Sequence, residues 1–487
     1  MAFLTAPINV TGPSYQSRSK PLSSQQTKNW YQQYNENGKD PYVLMPFPGL
    51  CTINSTITGK DRGFHRMSEV LYQVKGEYLY EIDSLGNHTL RGSILGSSRC
   101  IMADDGVNMF VVVPGEQVWQ YSADTLTVTE VTDVNITGSD TVDFINSQFL
   151  YTKSGFITIN SKVEGPGYTI VSNVGDGSSA SGLNIIGAES LPDTLIRDFV
   201  FEEVIYRCGV RSIEAWYNSG VGSPPIERLQ GRVFNVGLAA VNSIAKTDEA
   251  FYWLGDDNAI YRAQAGAKQR VSTDAISNAI SKFAVIDDAI GFTYTFEGQN
   301  FYTITFPTAN KTFTINEALS ENGWFELSTG TKDDKWQASS VMSVYGKNYA
   351  ADADNGNIYI LDLTCYTNND APLQRTRVIE NIDARLIGGA IGDAVTMSRV
   401  VVSMETGVGL IAGQGDNPRI MMEASFDGGR TWSAGAWPKV GRLGEFVIKV
   451  KWDRMKTFYD CMIRISSSDP VNYSVYSANI DLKMAGR

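Results

Sequence analysis

GEYLYEID, residues 76 to 83, decides the fold because it is one of a set. Tyr78, Tyr80 and Ile82 share one face while Glu77, Leu79 and Glu81 share the other, the period of two that a strand imposes. Gly76 supplies a turn in front, and VLYQV (70–74) precedes it, so the pair reads as a β-hairpin. The same figure returns as GEQVWQYS (115–122) after MFVVV (109–113), then as GFITINS (155–161), GVRSIEAWY (209–217), DDNAIYRAQ (256–264), GQNFYTIT (298–305) and GNIYILD (356–362). Successive turns at 76, 115, 155, 209, 256, 298 and 356 lie 39, 40, 54, 47, 42 and 58 residues apart. Four-stranded propeller blades repeat every ~40 to 50 residues, so the spacing predicts a β-propeller of six or seven blades. The other arrangement of such hairpins is a sandwich.

Composition agrees with an all-β chain. The 487 residues include 45 glycines, 23 tyrosines and 21 phenylalanines, with 19% charged residues, which suits short strands and tight turns. That length favours several domains or one large repetitive architecture. The net charge of −12 argues against a protein that grips nucleic acid, because such affinity comes from Lys and Arg displacing counterions. Five cysteines (51, 100, 208, 365 and 461) contain no C-x-x-C pair, and their odd number and wide spacing read as free thiols of a reducing compartment. No signal peptide is expected from MAFLTAPINVTGPSYQSRSK, and no stretch approaches eighteen apolar residues, so no membrane-spanning segment is expected. The glycosylation-like matches at Asn54, Asn87 and Asn135 then have no secretory context.

One helix is predicted over 272–283, STDAISNAISKF, with Ser272 as N-cap and Ile276, Ala279, Ile280 and Phe283 on one face. After residue 375 the texture changes. TMSRVVVSMETG (396–407), RIMMEASF (419–426), GEFVIKVKW (444–452), DCMIRISSS (460–468) and VYSANIDLKM (475–484) read as strands of a C-terminal antiparallel β-sandwich. The organisation expected is an extended N-terminal arm over 1–40, rich in Ser, Gln, Pro and Thr and ordered by a neighbour if at all, a propeller over 41–375 and a sandwich over 376–487.

The sandwich contains SFDGGRTW (425–432), where Ser425, Asp427, Gly429, Thr431 and Trp432 fill the S-x-D-x-G-x-T-W pattern of an Asp-box, known from sialidase propellers. Its physical content is a turn: Asp427 accepts backbone N–H groups, Gly428 and Gly429 tolerate positive φ, and Trp432 packs beneath the hairpin. A sialidase repeats the motif on its blades and adds an arginine cluster, a Tyr–Glu nucleophile and a general acid. Here the motif occurs once, outside the repeats, so it reads as structural, with a sialidase-type glycan-binding or glycan-cleaving propeller as the alternative.

No other chemistry assembles. His65 and His88 are the only histidines, without a cysteine cluster or H-E-x-x-H, so no metal site is expected. DADNGN (352–357) begins like a calcium loop, but Gly356, Asn357 and Leu363 stand at the wrong positions, and a polar hairpin tip fits better. Phosphate-loop and G-x-S-x-G patterns are missing. Neither catalytic residues nor a cofactor are expected.

The order of phrases over 202–280, with SIEAWYNSG, PPIER, GRVFNVGLAAVNSIA, FYWLGDDNAIYR and RVSTDAISNAI, resembles the packaged-DNA stabilisation proteins of short-tailed bacteriophages, the tail hub or nozzle subunits. YVLMPFPGL (42–50), 292–316, GWFELSTG (323–330), 355–375, EASFDGGRTWS and 451–471 continue the match in the same order. The resemblance implies a non-enzymatic virion protein assembled in the host cytoplasm. It implies a ring, typically of six subunits, docked beneath the portal and head-to-tail adaptor rings. That ring would extend the DNA channel, retain packaged DNA, and carry tail spikes or fibres and a distal plug or needle. Genomic DNA would pass without sequence-specific binding, and an acidic lumen suits that passage by repelling phosphates.

Overall fold

The computed structural model describes residues 3–485 except 20–22, 37, 39, 55–56, 156, 160–161, 165 and 188–192. Seven four-stranded antiparallel units follow one another at 61–93, 101–130, 141–187, 195–234, 245–270, 290–327 and 338–362, the last completed by Gly49–Asn54. Apolar side chains between neighbouring units close the ring. Separate clusters fill the gaps from the first blade to the second, and on through each successive pair. A final cluster sets Phe64, Leu71 and Ile82 of the first blade against Val344, Tyr349 and Ile358 of the seventh. The propeller therefore has seven blades, each buried on both faces as stacked sheets require.

The seven glycine-marked turns fall one in each blade, and the irregular spacings have local causes. Six mark the turn between second and third strands, whereas Gly298 joins the first and second strands of the sixth blade. There the next turn, Pro307 to Asn310, takes its positive φ from Asn310, so no glycine announces it. The long interval after 155 holds an inserted hairpin, Ile157–Ile159 with Lys162–Glu164; part of GFITINS lies outside the described residues.

Closure comes from the N-terminal side. Gly49–Asn54 pairs antiparallel with Ile358–Asp362, and Leu50 is fully buried in the seam. A Cβ at residue 49 would collide with the Thr367 backbone, so only glycine allows the two chain segments so close. Cys51 and Cys365 are bonded here, with Cα atoms 5.9 Å apart, which corrects the free-thiol reading for this pair. Propeller closure brings together cysteines 314 residues apart, which local spacing rules cannot see. Cys100, Cys208 and Cys461 are free and buried.

The N-terminal segment finds its partners inside the chain. Leu4–Ile8 pairs with Val475–Met484, and Trp30–Tyr34 pairs with Tyr42–Pro46, both in one sheet of the sandwich with Val395–Met404 and Val450–Asp453. Ser24–Lys28 does something else. It lies between Trp324–Leu327, the outer strand of the sixth blade, and Arg375–Val378, which pairs in turn with Asp460–Ser467. One ten-stranded sheet thus runs from the propeller into the second layer of the sandwich. The core between the two sandwich layers is built from both ends of the chain, among them Trp30, Met397, Val400, Ile463 and Ile480.

Two local expectations change. The helix is Asp274–Ile280 and its N-cap is Thr273, whose side chain accepts from the Ile276 amide. Ser272 is diverted to accept from the Ile260 amide at 2.9 Å and to meet Ser277 at 2.9 Å, tying the helix to the fifth blade. GEFVIKVKW is strand only over Val450–Asp453; residues 444–449 form a loop whose Phe446 and Val447 project into solvent.

Candidate functional site

Met421–Ser425 ends at the Asp-box, and the buried Ser425 is its pivot. Its hydroxyl accepts from the Gly429 amide at 2.8 Å and donates to Asp427 Oδ1 at 2.8 Å. Asp427 also accepts from the amides of Arg430 and Thr431, each at 2.9 Å, and from the Thr431 hydroxyl at 2.6 Å. Gly428 and Gly429 carry φ of 73° and 82°, which curls these donors inward. The Thr431 hydroxyl and amide, with Ser425, hold the Asp427 carboxyl well below the usual range. A carboxylate so occupied stays ionised and has no proton to give, the reverse of what a glycosidase acid needs.

Trp432 is half-buried under the Arg464 guanidinium, 4.3 Å from ring centre to cation, and Arg464 is paired with Glu423 at 2.6 Å. Gly429, Trp432 and Arg464 line a cleft of about 480 Å³ together with Asn278, Lys282 and Phe283 of the helix segment and Gln16 and Arg18 of the N-terminal segment. Two residues of the motif, Gly429 and Trp432, thus line a cleft shared by the sandwich, the helix segment and the N-terminal segment.

Because a depressed carboxyl stabilises the fold above its unfolded pKa and loses that effect as pH falls through its folded pKa, the turn should matter at neutral pH. Asp427→Ala is expected to lower the melting temperature of the sandwich at pH 7 while the propeller transition stays in place. The gap between variant and parent should shrink in strong acid. Differential scanning calorimetry of the two proteins at neutral and acidic pH checks it; coincident sandwich transitions at pH 7 would refute the bracing role.

At the propeller axis a mouth of about 580 Å³ is lined by Arg66, Phe199, Lys246, Phe292, Tyr294 and Ser343, among others. Arg66 is the one arginine among its described lining residues, and its donors are taken by the carbonyls of Ser68 and Ser343 at 3.1 and 2.9 Å. Lys246 donates to the Val200 carbonyl at 3.3 Å. Burial pushes the Tyr294 hydroxyl up, and its neighbour is the Thr303 hydroxyl at 3.5 Å rather than a carboxylate. Among the described lining residues no arginine cluster converges and no Tyr is paired with a Glu.

Among the described residues no group of three or more His, Cys, Asp or Glu is placed to hold a metal ion. His65 is paired with Asp104 at 2.6 Å, and His88 meets Gln73 at 3.3 Å. In DADNGN, Asp352 accepts from the amides of Asp354 and Asn355 and from the Tyr359 hydroxyl, which makes the segment a hydrogen-bonded hairpin tip. Among the described residues no helix is long and apolar enough to cross a membrane. Sequence reasoning missed the Arg375–Val378 strand, whose two buried arginines lie at the junction; an R-x-R pair in an otherwise unpatterned stretch was its only signal.

Comparison with known proteins adds identity to this geometry. The family model described as "Bacteriophage P22 Gp10, beta-propeller" matches residues 5–366, and "Bacteriophage P22 Gp10, beta-sandwich" matches residues 390–483. No curated protein matches the chain. Among solved structures, the computationally designed Ika8 protein aligns over 70% of this chain and all of its own at 8% identity, with a TM-score of 0.38, and nothing is inferred from it. With propeller and sandwich matched in order over most of its length, the chain belongs to the bacteriophage P22 Gp10 family, the tail hub proteins of short-tailed phages, and is a structural protein of the phage tail.

Proposed function

We propose that the chain is one subunit of a ring, a homohexamer, that docks below the portal and adaptor rings, extends the DNA channel, retains packaged DNA and carries spikes or fibres with a distal plug. The observation that carries this reading is the ten-stranded sheet from the sixth blade into the sandwich. A continuous hydrogen-bonded sheet makes one stiff body of two binding domains, which a conduit under load between capsid and tail requires. Asn29 reinforces the junction by donating to the Gln374 carbonyl at 2.7 Å and accepting from the Ser328 amide at 3.0 Å. The acidic balance supports a lumen past which DNA slides. Assembly takes place in the host cytoplasm, a reading that rests on membership of the phage tail family.

Light scattering on the purified protein tests this directly. Six copies of a 53.5 kDa chain give a particle of about 320 kDa with a central opening in negative-stain images. A species that stays monomeric at every concentration and hydrolyses a fluorogenic sialoside would overturn the proposal in favour of the glycan-cleaving alternative.

A further inference from the structure

Two loops at one end of the sandwich present apolar side chains to solvent. Ile411, on the loop after Val395–Met404, is 91% exposed, and Val447, on the loop before Val450–Asp453, is fully exposed, with Leu443 and Phe446 beside it. These loops are held in shape. The Thr406 hydroxyl donates to the Phe446 carbonyl at 2.9 Å, the Gly444 amide to the Gly407 carbonyl at 3.1 Å, and the Leu410 amide to the Gly415 carbonyl at 2.7 Å. Apolar residues fixed in the open by their own hydrogen bonds are organised for contact, since ordering costs are met before binding.

Charge says what they contact. Around the tip, residues 439–449 carry Lys439, Arg442 and Lys449 against Glu445. Residues 395–487 hold 12 basic and 9 acidic residues, whereas residues 1–394 hold 29 and 44. The imbalance peaks in one place. Between Arg99 and Lys153 there are eight acidic residues and no basic one. On the second blade this run places the exposed Asp124 and Glu130 about the outer strand Thr127–Glu130, next to the exposed Leu126 and Val134. One chain thus carries a basic, apolar knob and an acidic, apolar edge of matching chemistry on different domains.

We infer that the sandwich tip of one copy docks against the outer edge of the second blade of the next copy, a head-to-side contact that repeats around the ring. The inference rests on the ring proposed above and names its subunit interface. Different patches on the two partners make a heterologous contact, the kind that closes into rings, and opposed charge sets its register.

Light scattering of the full chain across concentration, with circular dichroism to verify folding, tests it. Phe446→Asp with Val447→Asp should shift the assembly midpoint at least tenfold toward monomer, and Ile411→Asp, on the other loop, should do the same. Arg442→Glu with Lys449→Glu should weaken assembly, and adding Asp124→Lys with Glu130→Lys should restore it. Val221→Asp, at an exposed apolar site on the fourth blade, should leave assembly unchanged. Folded knob variants that assemble like the parent, or a charge swap that restores nothing, overturn the interface while the ring stands. A parent that never assembles overturns the ring itself. If the parent instead binds vesicles of anionic phospholipid and Phe446→Asp abolishes that binding without altering assembly, the knob faces a lipid surface and the inference is wrong.

Discussion

Trp30→Ala is expected to destabilise the sandwich by about 3–5 kcal/mol, the cost of emptying a fully buried tryptophan site. Trp30 has no exposed surface, and its indole Nε1 donates to the Tyr473 carbonyl at 3.0 Å, so truncation leaves both a cavity and an unpaired carbonyl. The residue sits only thirty positions from the N-terminus, yet the core it fills is otherwise drawn largely from residues 379–482. Trp30→Phe should cost less, because it leaves a smaller cavity, although the hydrogen bond to Tyr473 goes as well. Unfolding in urea followed by near-ultraviolet circular dichroism should show an early sandwich transition in Trp30→Ala and a propeller transition close to the parent's. Since a chain of two joined domains need not unfold in one step, the separate midpoints are what count. Identical curves for parent and variant would mean that the N-terminal strands decorate the sandwich without completing it.

That dependence marks the limit of what the sequence discloses. Repeating hairpins were legible because each blade buries both faces and spends glycine at a tight turn, and six of the seven marked turns occupy the same place in their blades. The sixth blade broke the rhythm through Asn310, a residue that adopts positive φ without announcing it. Ser24–Lys28 was illegible for a different reason. SQQTK has no apolar pattern, yet it is a central strand, since its side chains meet polar partners: Gln26 donates to Glu326 at 3.0 Å and Thr27 accepts from Arg377 at 2.7 Å. Hydropathy reports burial against carbon and is blind to burial against polar groups. At 444–449 the error ran the other way, because an alternating apolar pattern says that residues are to be covered and not by which chain. The Asp-box turn was readable since its partners lie within six residues of one another.

Arg375→Met should raise the melting temperature, whereas Arg377→Met, two residues along the same strand, should lower it. Both guanidinium groups are fully buried in the sheet that joins propeller to sandwich, and burial pulls each down to about 10. Neither has a carboxylate in hydrogen-bonding contact among the described residues, so their hydrogen bonds decide the sign. Among the described residues Arg375 donates to one carbonyl, that of Phe47 at 3.2 Å, and leaves Nε and Nη1 without partners; the Tyr366 ring, 5.6 Å away, offers a weak cation–π contact. Arg377 reaches the Thr27 hydroxyl at 2.7 Å, Gln25 Oε1 at 3.0 Å and the Pro13 carbonyl at 3.4 Å, leaving only Nε unmatched. Replacing a poorly compensated buried charge by an apolar side chain of similar length stabilises by about 1–4 kcal/mol. Stripping several buried acceptors of a charged donor costs about 1.5–3 kcal/mol for each strong bond lost. Opposite shifts in scanning calorimetry are therefore expected from two chemically identical substitutions. If Arg375→Met instead melted lower by a similar amount, its unmatched Nε and Nη1 donors would have to be engaged in the native protein, and the strand would be a firmer joint than its side-chain contacts describe. The predicted gain carries a functional corollary. A joint that a single apolar substitution strengthens is one whose natural sequence holds propeller and sandwich together with less than the stability available, and ring assembly by Arg375→Met, measured beside its melting, shows whether that slack is used.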